Sequence, residues 1–257
     1  MNVLHARGRI LAALILRETA SRFGRSWGGY LWAIAEPVAT IFVLALAFSM
    51  FVRSPPLGRS FELFYATGLL PFALYAAIAT AGITTLQANK GLLVHPAISV
   101  FDVLLARTLL EIMTHAAIAA LVLPTLIVLL RVDVDFAPAP LAAALLAAAA
   151  LGFAVGLGNA LLVGFFPTWR QVWAVLNRPM FLASGILFLP TEVPDSIAPL
   201  VQANPLAHVV ALMRGAFYGP EPALFAEPAY LALLSLGLVT VAGGLLARHQ
   251  GRLIHAA

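Results

Sequence analysis

Six stretches of the chain, roughly 31–51, 63–83, 108–130, 141–166, 172–189 and 229–246, are apolar runs bounded by charges or by proline and glycine. A helix needs about 20 largely apolar residues to cross a hydrocarbon layer, and each run reaches or approaches that length. The hydrophobic fraction is 62% and the charged fraction 10%, too little charge to cover the surface of a soluble fold. The fold class expected is therefore an all-α integral membrane protein with six transmembrane helices. It carries an N-terminal amphipathic interface helix and short re-entrant outer helices before the last span.

The basic residues orient these spans. With the N-terminus cytoplasmic, the inner segments hold Arg7, Arg9, Arg17, Arg22, Arg25, Lys90, Arg107, Arg170, Arg248 and Arg252. The outer segments hold only Arg53, Arg59, Arg131 and Arg214. The excess of Lys and Arg marks the cytoplasmic side, so both termini are expected there.

Several features are not plain spans. Ile10, Leu11, Leu14 and Ile15 fall on one face of a helix flanked by arginines, the pattern of a helix lying in the membrane interface. The apolar run there lacks a small-residue cleavage pattern, which argues against a cleaved signal. Trp27, Tyr30 and Trp32 then mark the headgroup level where the first span begins. The inner loop after span two reads Gln87-Ala-Asn-Lys-Gly-Leu-Leu-Val-His-Pro96, with Leu92 and Leu93 expected to be exposed. A protein contact and a loop resting on the membrane both fit that loop. Span four has a small residue at every fourth position, Ala144, Ala148, Gly152, Gly156, Ala160 and Gly164, a smooth face that lets another helix approach closely. The partner helix can belong to the same chain or to a second copy. The proline-rich segment 190–228 contains Asn204-Pro205, a good N-cap followed by proline at the first helical position.

Arg178 is the residue most costly to place. It lies in span five, and an intramembrane arginine costs at least about 2.5–3.5 kcal/mol unless it is paired or hydrated. Glu36, just inside span one, and Glu111, in span three, are its candidate partners in an ion pair or along a translocation path. Arg107, Glu111 and His115 share one helix face at i, i+4, i+8.

Several chemistries are excluded. There is no cysteine, hence no disulfide or thiolate chemistry. The only lysine, Lys90, has no glycine-rich phosphate loop before it. No zinc-protease, nucleophile-elbow or dinucleotide motif occurs, and the histidines have no tight ligand spacing. The basic residues are too few and too scattered for a nucleic-acid surface. No catalytic residue, metal site or cofactor is expected in this chain.

The run Arg17-Glu-Thr-Ala-Ser-Arg-Phe-Gly-Arg-Ser-Trp-Gly-Gly-Tyr-Leu-Trp-Ala-Ile-Ala-Glu-Pro37 resembles the N-terminal signature of type-2 ABC exporter permeases for capsular polysaccharide. Further matches follow in order: Gly68-Leu-Leu-Pro-Phe72, Asn89-Lys-Gly-Leu-Leu93, Phe101-Asp-Val-Leu-Leu-Ala-Arg107 with Glu111, Arg178-Pro179 with Ser184-Gly185, and Asn204-Pro-Leu-Ala-His208 with Arg214. The resemblance covers nearly the whole chain. It implies a single transmembrane domain over 1–257. Residues 1–28 would form the interface helix, 29–190 spans one to five with a coupling loop at about 87–106, 191–228 the outer re-entrant segment, and 229–257 the last span and cytoplasmic tail. It further implies a homodimer in the bacterial inner membrane, driven by a separate ABC ATPase that binds ATP and magnesium. The contact to that ATPase would run through Asn89, Lys90, Leu92 and Leu93. The cargo would be a lipid-linked polysaccharide of capsule type, handed on to periplasmic and outer-membrane export proteins. O-antigen or teichoic acid export is the near alternative, and an intramembrane transferase using Arg107, Glu111 and His115 the distant one.

Overall fold

The apolar runs become helices because a lipid interior offers the backbone no hydrogen-bonding water, so each spanning segment must satisfy its own amides and carbonyls. The computed structural model describes residues 3–23, 27–93, 95 and 98–256. In chain order the helices are α1 (Val3–Phe23), α2 (Trp27–Ser49), α3 (Phe61–Ala88), α4 (Lys90–Leu93), α5 (Val100–Leu130), α6 (Pro138–Phe165), α7 (Trp169–Ala183), α8 (Ala198–Gln202), α9 (Pro205–Gly215) and α10 (Pro228–Ala256). A 3₁₀ turn, Glu221–Phe225, precedes α10. The side chains of Arg22, Arg25, Trp27, Tyr30 and Arg252, and residue Pro96, lie outside the described residues.

Local chemistry sets the starts. Ser60 caps α3, its hydroxyl accepting from Leu63 N at 3.1 Å. Ser99 and Asp102 close a reciprocal capping box on α5. Asn204 caps α9 through Leu206 N at 3.0 Å, with Pro205 as the first helical residue, as the sequence predicts.

Among the described residues five helices, α2, α3, α5, α6 and α10, are long and apolar enough to cross a membrane. The fifth expected run differs. Its helix, α7, has only 15 residues, about 22 Å at 1.5 Å per residue. It stops at Ser184, and Gly185 turns the chain with φ +76, a conformation that glycine adopts without strain. The chain then continues, non-helical, through the buried Ile186 and Leu189. The proline-rich segment 190–228 does form two short helices, and α9 dips into the bundle: every residue from Leu206 to Gly215 is buried.

α3 is the central element, with 72% of its apolar window buried, against 11% for α2. It packs on α6, α5, α2 and α9. The small-residue stripe of α6 faces α3 within the same chain. A Cβ on Gly152 would meet the Tyr75 carbonyl oxygen at 3.0 Å, and one on Gly82 would meet the Gly156 carbonyl oxygen at 2.0 Å. The backbones cross in contact, so the stripe serves this intramolecular crossing. α1 lies against α5, with Leu14 buried and Ile10, Leu11 and Ile15 packed around Leu86, Leu93, Val103 and Leu104. The amphipathic face read from the sequence is the one that docks.

Candidate functional site

Three places gather polar side chains within this apolar fold. The first lies where α1, the end of α3 and α5 meet. Glu18 is 8% exposed, Asn89 1% and Glu111 1%. A carboxylate this deep requires partners, because an unpaired buried charge is strongly destabilising. Glu18 Oε2 is 2.9 Å from an Arg107 guanidinium nitrogen, and its Oε1 accepts from Asn89 Nδ2 at 3.0 Å. Asn89 also donates to the Thr85 carbonyl at 3.0 Å and accepts from Arg17. Arg107 donates from Nε to Glu111 Oε1 at 3.1 Å. His115 Nδ1 lies 3.0 Å from the Glu111 carbonyl oxygen and 3.8 Å from its carboxylate. The face Arg107–Glu111–His115 read from the sequence is thus one connected network. The sequence reading missed Glu18, which joins it from 89 residues away. The isolated acid among the arginines of the amphipathic segment was the available signal.

Asn89 ends α3 and stands immediately before α4, so the network grips the loop at its root. The two leucines grip it from the other side, which corrects their expected exposure. Leu93 is 6% exposed, and Leu92 packs beside it on the cluster of Leu14, Val100 and Leu246. An apolar side chain beside an amphipathic helix buries itself there rather than face water. The exposed residues of this loop are Gln87, Ala88, Lys90, Gly91 and His95.

The second place is a groove of about 770 Å³ between α3 and α7, with Phe72, Trp173, Phe181, Asn177, Arg170 and Arg178 among its walls. Trp173 Nε1 donates to Thr80 at 3.1 Å, and Arg170 donates to Gln87 at 2.6 Å. The structure does not bring Arg178 to Glu111 or to Glu36. Glu111 is taken by Arg107, and Arg178 has no ion-pair partner among the described residues. Its helix is short and its side chain exposed, on the wall of the α3–α7 groove.

The third is a cavity of about 440 Å³ between α2, α3 and α5, with Glu36, Arg107, Glu111 and His115 among its walls.

At the opposite end of the bundle, Arg214 is fully buried. Its guanidinium donates to the carbonyls of Ile186 and Phe188, each at 3.0 Å, and sits 4.0 Å from the centre of the Phe64 ring. These carbonyls belong to the non-helical stretch after α7, which has no helical partners of its own. Asn204 Nδ2 similarly accepts the load of the last turn of α7, donating to the Ala183 carbonyl at 2.8 Å. His208 Nε2 lies 2.7 Å from the Gln202 carbonyl oxygen, and its Nδ1 accepts from Glu227 N at 3.1 Å. Arg214, counted from the sequence only among the basic residues of the outer segments, holds this stretch from within the fold.

Residues 10–218 match the model of the ABC-2 type transporter family. The chain is 30% identical over 242 residues to the capsule polysaccharide export inner-membrane protein CtrC of Neisseria meningitidis, covering 91% of this chain and 90% of that protein. It is 34% identical over 210 residues to the polysialic acid transport protein KpsM of Escherichia coli, covering 79% of each. It is 26% identical over 245 residues to the capsule polysaccharide export inner-membrane protein BexB of Haemophilus influenzae, covering 93% and 92%. A helical membrane bundle without a phosphate loop, matched by that family over most of its length, is a membrane component of a transporter rather than a catalytic subunit: the chain belongs to the ABC-2 type transporter family.

Proposed function

We propose that this chain is the permease subunit of an exporter that carries a lipid-linked, capsule-type polysaccharide across the bacterial inner membrane. It acts as a homodimer, with both termini in the cytoplasm, and a separate ABC ATPase binds the ATP and magnesium. The capsule relatives cover nine-tenths of this chain, which favours capsular cargo over O-antigen or teichoic acid.

The observation that carries the reading is the anchoring of the α3–α5 loop. A permease without an ATP site must receive work through a cytoplasmic surface. The exposed Lys90 and its neighbours offer that surface, while Asn89 and Leu93 tie it to α1 and α5. Displacement of the loop therefore reaches two other helices. The α3–α7 groove supports the cargo: Phe181 is partly exposed there, and the exposed Arg170 and Arg178 can pair with anionic groups.

The test is replacement in a capsulated strain that lacks its own permease. The chain, expressed with the ATPase of its operon, is expected to restore surface capsule. It should also co-purify with that ATPase, and ATP hydrolysis should require the ATPase. Surface capsule that stays absent while both proteins reach the membrane would reject the cargo. In this cysteine-free chain, single cysteines at the exposed Arg59 and Glu221 should label from outside and one at Gln250 should not. External labelling at Gln250 would reverse the orientation.

A further inference from the structure

The cavity between α2, α3 and α5 is not needed by the loop contact or by the α3–α7 groove, and its walls are graded. α3 contributes Thr84 and Thr80 at the end near α1, then Ala77, Ala76, Ala73 and Leu69 towards the middle of the bundle. Residues 69 to 84 of a helix cover about 22 Å, so this is a long half-open channel, polar at one end and lined by small apolar side chains at the other. That is the profile of one lipid, a headgroup with an acyl chain.

The polar end selects by hydrogen-bond sense and charge. The hydroxyls of Thr40 and Thr114 donate back to the carbonyls of Glu36 and Leu110 at 2.8 Å each. Their free lone pairs therefore face the cavity as acceptors. Arg107 is answered by Glu18 and Glu111. The carboxylate of Glu36, across from them, has no ion-pair partner among the described residues. It lies five residues beyond Leu31, where the apolar run 31–51 begins, about 7.5 Å along the axis and near headgroup depth. Arg107 and His115 line the same end, but Arg107 is already held by two carboxylates, so the carboxylate of Glu36 calls for a further cationic group that carries N–H donors.

We propose that this cavity binds one phospholipid of the leaflet in which α1 lies, with its primary-amine headgroup at Glu36 and a chain along the alanines of α3. The proposal is independent of the cargo.

It is tested with the full-length chain reconstituted into vesicles of equal parts phosphatidylethanolamine and phosphatidylglycerol, extracted in detergent and weighed intact by native mass spectrometry. Wild type should retain one phosphatidylethanolamine in a few-fold excess over phosphatidylglycerol, the size of preference a partly exposed ion pair supports. Glu36→Gln should bring the two lipids to parity. Ala77→Leu, which fills the apolar half, should abolish retention of both while the protein still elutes as a single folded species. Wild type that retains no lipid, or retains phosphatidylglycerol equally well, overturns the proposal. So does a Glu36→Gln variant that keeps the wild-type excess.

Discussion

Glu18 and Arg107 are 89 residues apart in the chain and their side chains meet at 2.9 Å. The same Glu18 carboxylate holds Asn89 at 3.0 Å, so one side chain joins the interface helix, the root of the α3–α5 loop and α5. Glu18→Gln removes the charge but leaves a side chain that can still bond Asn89. Glu18→Ala takes one partner from each of Arg107 and Asn89, which keep Glu111 and the Thr85 carbonyl, at a cost of about 1–3 kcal/mol. The Glu18→Arg/Arg107→Glu exchange preserves the pair but reverses it. We expect Glu18→Ala to lower the thermal midpoint and to raise ATP hydrolysis per glycan exported. The exchange should recover more of the coupling than either single change. Additive single effects in that cycle would refute a direct interaction.

The loop separates anchoring from contact. Leu93→Asp places a charge in the cluster of Leu14, Val100 and Leu246 and should destabilise the protein itself, since burying a leucine contributes roughly 1.5–3 kcal/mol. Lys90→Glu changes only an exposed side chain. It should leave the melting temperature unchanged while weakening co-purification of the ATPase. Equal loss of fold in both variants would contradict the distinction.

Arg214 answers the carbonyls of Ile186 and Phe188. Arg214→Leu keeps an apolar side chain there but leaves two acceptors unmet, one buried and one part-buried, the buried one worth roughly 1–3 kcal/mol. Limited proteolysis should find new cleavage between residues 184 and 204, whereas Arg53→Leu, at an exposed position, should change nothing. An unaltered digestion pattern in Arg214→Leu would show that the guanidinium is not what holds this stretch.

Two glycines should behave oppositely. A Cβ at Gly82 would fall 2.0 Å from the Gly156 carbonyl oxygen, and one at Gly158 would meet nothing within 4 Å. Gly82→Ala should cost at least the roughly 1–3 kcal/mol of overpacking, read as lost monodispersity after extraction. Gly158→Ala should be neutral or slightly stabilising through helix propensity.

The long helices were legible because lipid imposes a length and a composition that no soluble fold would share. The amphipathic face of α1, the cap at Asn204 and the face Arg107–Glu111–His115 were legible because helical spacing sets neighbours within one element. Glu18 and Arg214 were not. Each satisfies groups far away in the chain, and only the packed structure brings those groups near. Leu92 and Leu93 misled for the same reason: a loop leucine reads as exposed until the helix that covers it is in place. Arg178 was placed inside a membrane span because its run looked like a full one, and the break at Gly185 leaves it exposed on a short helix beside the α3–α7 groove.

The crossing of Gly82 and Gly156 also limits how this protein can move. Two helices whose backbones touch can neither slide nor roll past one another without parting, so α3 and α6 behave as a single beam, with α9 wedged against both. α2 is covered over only 11% of its apolar window, and α7 leans on few neighbours. Any opening of a path through this bundle is therefore expected at the loosely packed α2 and α7, with the α3–α6 crossing left intact.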